Sequence, residues 1–141
     1  MTADGRLGEA TVVMKHNGSS VNPKRQRGPR AHAAVLSADN RFVFAPDLGL
    51  DQILSYRLDP VKASLSPKDP PFAKVAAGAG PRHFAFHPKG KYATGAYLFA
   101  ANQNSDNIVQ FRVDPKSGRL KPTGKTVDVS KPVCVQFTPA Q

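Results

Sequence analysis

Cysteine, glutamate, tryptophan and long apolar runs are what this 141-residue chain has least of. Cys134 is the single cysteine, so no internal disulfide can form and no multi-cysteine metal site can be built. No apolar stretch approaches the roughly 18 residues needed to cross a bilayer as a helix, and Met1-Thr2-Ala3-Asp4-Gly5 lacks the basic start and apolar stretch of a signal peptide. A soluble chain with no membrane partner, in a cytoplasmic setting, is the expectation. Glu9 is the one glutamate beside nine aspartates, and most of the aspartates lie next to Pro, Gly, Asn or Lys, so helix formers are scarce. Against these absences stand 13 prolines and 11 glycines, about 17% of the chain where ~12% is usual. They punctuate short stretches rich in Val, Phe, Ile and Tyr, a pattern that reads as all-β. With glycine included, the apolar share is about 48%, normal for a globular chain, and one domain is the default for this length.

The chain repeats itself. At an offset of 55, FAPDLGLDQILSYRLDPVKASLSP from Phe44 aligns with FAANQNSDNIVQFRVDPKSGRLKP from Phe99. Asp51 falls on Asp106, Ile53 on Ile108, Tyr56 on Phe111, Arg57 on Arg112 and Asp59-Pro60 on Asp114-Pro115. At an offset of 50, Leu36 to Phe42 matches Phe86 to Tyr92, and at 51, Pro81 to Pro88 matches Pro132 to Pro139. A period near 50 residues holding several short strands is the signature of β-propeller blades, each a four-stranded antiparallel sheet. The expected fold is therefore a partial β-propeller of about two blades plus flanking strands. The first blade is predicted at Ala33–Leu36, Phe42–Ala45, Ile53–Leu58 and Phe72–Val75. The second is predicted at His83–Phe86, Tyr97–Ala101, Ile108–Val113 and Thr126–Val129. A lone strand at Thr11–Met14 is expected before them, and Val133–Phe137 after them as the first strand of a further blade. As units, this gives a blade tail at 1–31, a blade at 32–80, a hybrid blade at 81–131 and a closing strand at 132–141. The period breaks where Ala93-Thr94-Gly95-Ala96 separates Tyr92 from Tyr97, two residues competing for the slot that Phe42 fills. A join between two parts of a longer array is the simplest account.

GSSVNPKRQRGPRAH, DNRFVFAPDLGLDQILSYRLDP, GAGPRHFAFHPKGKY, LFAANQNSDNIVQFRVDP and PVCVQF together resemble the lactonase family of seven-bladed propellers, the 6-phosphogluconolactonase type. The resemblance covers nearly the whole chain, in a family whose members are well over twice this length. It implies hydrolysis of a phosphorylated sugar lactone in carbohydrate metabolism, by the pentose phosphate route, with no required cofactor and no metal site. Such chemistry needs a base to activate water, a cation or donor for the developing oxyanion, and positive charge for the phosphate. By motif the catalytic His falls on His32 and an Arg on Arg82. Independently, the offset of 50 puts His32 and Arg82 at one place in successive blades, facing a common channel, with Val133 in that place in the third copy. The family's Glu would fall at Ala93-Thr94-Gly95-Ala96 and its second Arg has no match, which implies weak or absent turnover.

Candidate substrate-binding residues are His83, which alternates with Phe84 and Phe86 and lines the site, and Arg30, Lys24 and Arg25, cations of a run that suits steering of an anionic sugar lactone or phosphosugar. No Tyr or Phe is interleaved with Lys24-Arg25-Gln26-Arg27-Gly28-Pro29-Arg30, which disfavours nucleic acid as the partner. His87 reads as structural, Gly78-Ala79-Gly80 as a tight turn, and Asp51 and Asp106 as Asx-turn residues rather than catalysts. Asn102, Asn104 and Asn107 belong to a turn, and Cys134 reads as an inert buried thiol between Val133 and Val135. A second reading, of a different class, is a non-catalytic propeller piece that binds anionic ligands. In either case open blade faces and strand edges predict self-association.

Overall fold

The computed structural model describes residues 4, 6, 8–87 and 97–137, and every regular element among them is a strand. The expected join at Tyr92 to Ala96 lies outside the described residues. Two four-stranded antiparallel sheets follow one another along the chain. Blade 1 comprises β1 (Val35–Leu36), β2 (Phe42–Asp47), β3 (Gln52–Asp59) and β4 (Ser64–Lys74), and blade 2 comprises β5 (Pro81–Phe86), β6 (Tyr97–Asn102), β7 (Asn107–Val113) and β8 (Leu120–Asp128), each paired in sequence order.

The repeat seen in the residues recurs in the pairing. Val35↔Phe44 and Leu36↔Val43 in blade 1 become Ala85↔Phe99 and Phe86↔Leu98 in blade 2, an offset of 50 on the inner strand and 55 on its neighbour. Tyr56↔Pro67 becomes Phe111↔Pro122, and both blades carry an irregularity just before that pair, at Leu54/Tyr56 and Val109/Phe111. The turns match atom for atom. Asp59 Oδ1 accepts from the amides of Val61 and Lys62, and Asp114 Oδ1 accepts from those of Lys116 and Ser117. Such bonds supply locally the partners that a turning backbone loses. One asymmetry remains in this turn: Ala63 holds a left-handed φ of 47° where the second blade has Gly118 at 69°.

Both outer strands start earlier than the sequence predicted, at Ser64 and Leu120 rather than Phe72 and Thr126. Pro67, Pro70, Pro71 and Pro122 suggested breaks. An outermost strand has one side without a ladder, however, and a proline there forfeits no hydrogen bond. The inner strand of blade 1 shows the opposite effect. The Pro46 carbonyl accepts from the His32 amide at 3.1 Å, but proline has no N–H to return, so β1 is two residues long while β5, opposite Ala101, runs to six.

The two flanking strands are not strands. Thr11–Met14 is irregular, tied to blade 1 through Thr11 Oγ1 donating to the Ala63 carbonyl at 2.7 Å. Val133–Phe137 has no ladder partner among the described residues, which also leaves Cys134 exposed rather than buried. Its placement nevertheless follows the repeat. Phe137 meets Phe99 with ring centroids 5.2 Å apart at 71°, as its counterpart Phe86 meets Phe44 at 5.7 Å and 70°.

The blades stack face to face. Phe42, Phe44 and Ile53 of blade 1 form one buried cluster with Phe84, Leu98, Ala100, Phe111, Val113 and Leu120 of blade 2. Phe44 meets Phe84 at 6.3 Å and 89°, and Phe84 meets Phe86 at 5.4 Å and 82°, the edge-to-face geometry that aromatic quadrupoles favour. Fully burying a side chain such as Phe44 contributes about 2 to 3 kcal/mol. By the same alternation, the far face of blade 2 presents Phe99, Ile108, Gln110 and Val127, the counterparts of Phe44, Ile53, Ser55 and Ala73. There they line an open groove of about 450 Å³.

Candidate active site

His32, which precedes β1 and lies in no strand, and Arg82, on β5, stand at matching points of the repeat. Ala31 forms an isolated bridge to Asp47 as Pro81 pairs with Asn102, and the next residue in each case is His32 or Arg82. Arg82 occupies a bulge between Pro81 and His83, a device that re-aims a side chain. Its Nη1 donates to Gln103 Oε1 at 2.8 Å, while its buried Nε has no partner among the described residues. His83 follows, its ring centroid 6.4 Å from that of His32, and its Nδ1 donates to the Val133 carbonyl at 2.7 Å.

The electrostatics of His32 are set by this group. Partial burial, the Arg82 guanidinium, His83 and Arg25 together lower its pKa below the ordinary 6.5, with Asp47 alone opposing them. The imidazole is therefore neutral at neutral pH and free to accept a proton. Of the residues predicted to bind substrate, His83 and Arg25 thus act on His32 directly. Arg30 lies two positions before His32 with its side chain exposed, and Lys24 is exposed on the same segment. No three His, Cys, Asp or Glu side chains among the described residues converge as a metal site.

Residues 16–30 form a strap over blade 1, anchored by residues that the repeat does not single out. Gln26, in the middle of the basic run, is completely buried. Its Nε2 donates to the Leu48 carbonyl at 2.7 Å and to Asp51 Oδ1 at 2.8 Å, and its Oε1 accepts from the Asn22 amide at 2.9 Å. Asp51 also accepts from Ser20 Oγ at 2.5 Å and from the amides of Gly78 and Gly80 at 2.6 and 2.8 Å. Its structural role is confirmed, though it works over long range rather than as an Asx turn, and the amides of the Gly78–Gly80 turn are already engaged. Asp47 accepts from the Arg30 and Gly49 amides at 2.7 and 2.9 Å and from His16 Nδ1 at 2.6 Å. A Cβ at Gly49 would collide with the Gly28 carbonyl, so only glycine lets the strap lie this close. The carboxylate can only accept, so His16 Nδ1 donates to it, and the other ring nitrogen lies 2.9 Å from the Tyr56 hydroxyl. Burial, with the charge of Asp47, raises the Tyr56 pKa, so the phenol keeps its proton. One signal for these contacts was present: Asp47 and Asp51 flank a Leu-Gly-Leu that no simple turn requires.

Sequential four-stranded antiparallel sheets, stacked face to face with corresponding side chains gathered on their innermost strands, define part of a β-propeller. The chain belongs to the lactonase family of seven-bladed β-propellers, whose profile matches residues 1–94 and 93–137. The two matches meet inside the stretch where the repeat breaks. A 6-phosphogluconolactonase of Bacillus subtilis (strain 168) is 31% identical over 118 residues, 84% of this chain and 31% of that protein. Among solved structures, a putative 6-phosphogluconolactonase from Bacteroides fragilis aligns with a TM-score of 0.79 at 31% identity, over 90% of this chain and 35% of that one. A periplasmic gluconolactonase of Pseudomonas aeruginosa aligns at 0.79 and 32%, over 96% and 35%. The chain spans about a third of the length of these relatives.

Proposed function

We propose that this chain is a lactone-hydrolysing unit of the 6-phosphogluconolactonase type, with slow turnover. The observation that carries the reading is the neutral His32, ahead of β1, with its ring 6.4 Å from that of His83 and under the charge of Arg82, both on β5. His32 takes a proton from water as the hydroxide attacks the lactone carbonyl carbon. Arg82 stabilises the oxyanion that forms, and the ring C–O bond then breaks as the His32 imidazolium returns its proton to the departing ring oxygen, giving the hydroxy acid, whose carboxyl group ionises at neutral pH. Arg25, Arg30, His83 and Lys24 draw in the anionic substrate. No carboxylate joins this group from the matched motifs, so the rate is expected to be low.

Proton release on adding 6-phosphogluconolactone tests the reading. A rate above spontaneous hydrolysis that disappears in both His32→Ala and Arg82→Ala is expected, and equal rates in parent and variants would overturn it. The buried, unpartnered Arg82 Nε favours one second reading, anion binding without turnover. In that case 6-phosphogluconate would bind, Arg82→Ala would abolish the binding, and no proton release would be seen.

The proposal extends to architecture and setting. Residues 32–80 and 81–131 are taken as the repeating units, with 1–31 a blade tail and 132–141 a closing strand. The cytoplasm is taken as the compartment. The face of blade 2 with Phe99 and Ile108 would pack on the same face of a second copy, a two-fold contact, since the opposite face of blade 1 lies under the strap. Sedimentation velocity should show association that weakens in Ile108→Lys, and a monomer at all concentrations would remove this part of the proposal.

A further inference from the structure

We infer that Asp47 is a positioning residue for His32, acting through the backbone of residues 30–32, an inference that rests on the catalytic role proposed for His32. Asp47 is fully buried at the end of β2. Its Oδ1 holds the Arg30 amide, the Arg30 carbonyl accepts from the Leu48 amide at 3.0 Å, and the His32 amide donates to the Pro46 carbonyl. The segment carrying His32 is thereby pinned on both sides of Ala31 to the residues around Asp47. Pro46 has no N–H to return to the His32 carbonyl, so the ladder is one bond short there, and the Asp47 carboxylate adds a separate tie by accepting from the Arg30 amide. The other oxygen is held by His16 and, through it, by Tyr56, so the carboxylate has a single orientation.

Charge adds to position. The groups that bear on His32 are Arg82 and His83 from β5, Arg25 from the strap and Asp47 from β2, and only Asp47 is anionic. It opposes the lowering that burial and the other three groups impose on the imidazole.

Asparagine can occupy this place in the fold, since blade 2 carries Asn102 at the matching position. In Asp47→Asn the NMR titration midpoint of the His32 ring is expected to move down from the parent value, and the acid limb of any lactone hydrolysis to move down with it. Asp51→Asn, which removes an equally buried carboxylate that does not bear on His32, is expected to leave the midpoint in place. Asp47→Ser, which keeps an acceptor without charge, gives the same readout should the asparagine variant fail to fold. An unchanged midpoint in a folded Asp47 variant, or an equal shift in Asp51→Asn, would overturn the inference. The titration needs no substrate. Absence of hydrolysis in the parent would therefore sink the lactonase proposal while the midpoint still decides the coupling of Asp47 to His32.

Discussion

Blade 1 and blade 2 have the same strand order and the same hairpin turn, and both break register at one place on the outer strand, yet among the described residues only blade 1 lies under a strap. Three pairs of matched positions record the difference. Asp47 receives three hydrogen bonds and is fully buried, whereas Asn102 bonds only to Asn107 and leaves its buried Oδ1 without a partner among the described residues. Asp51 is buried beneath four donors, while Asp106, with almost the same φ (53° against 51°), is exposed and its carboxylate accepts, among the described residues, from the Lys131 amide alone. Tyr56 reaches His16 through its hydroxyl, and its counterpart Phe111 packs in the interblade core. A buried carboxylate is tolerated only where donors surround it. The backbone slot is common to both blades, and the cover decides which side chain it can hold.

The largest test of this comparison lies in the stacked faces. Phe44→Ala should cost about 3 to 5 kcal/mol in urea unfolding, since Phe44 is wholly enclosed. Phe99→Ala, at the same place on the open face, should cost less than half as much, and equal losses would mean that the groove over Phe99 is covered in solution. Next in size, Asp51→Asn should lower stability by about 2 kcal/mol because buried donors lose a charged acceptor, whereas Asp106→Asn should change it by less than about 0.5 kcal/mol. The turn gives a smaller effect of opposite sign in the two blades. Ala63→Gly should stabilise by roughly 0.5 to 1 kcal/mol by relieving a left-handed alanine. Gly118→Ala should destabilise, since its Cβ would lie 2.7 Å from Phe42 Cδ1.

The smallest effect is the pH dependence arising from His32. With its folded pKa lowered, the unfolded chain binds this proton more readily. Its contribution to stability is therefore complete above the ordinary value of 6.5 and falls away as pH drops toward the folded value. His32→Gln should flatten that slope in thermal unfolding between about pH 7 and 5.

Much of the framework could be read from the residues, because a repeat offset of 55 fixes which strands pair and which faces match. The equivalence of His32 and Arg82 came from the same arithmetic and reappears in the ladder. The strap was not legible. His16, Gln26 and Ser20 have no counterpart in the repeat, and a glutamine among arginines looks like surface until the Leu48 carbonyl and Asp51 are brought over it. The outer strands were read too short because proline was judged without knowing on which side of the sheet it would lie. Cys134 was read as buried because its neighbours are valines, but without a ladder partner their alternation encloses nothing.

The atom-for-atom identity of the Asp59 and Asp114 turns makes them interchangeable joints. A crossover between copies at that hairpin would keep every downstream residue on its original side as far as the bulge, so new arrays could arise by recombination without turning a core inside out. Placing residues 114–121 at 59–66 in the laboratory would use the same match and bring a glycine to position 63, whereas the reverse exchange would set an alanine against Phe42.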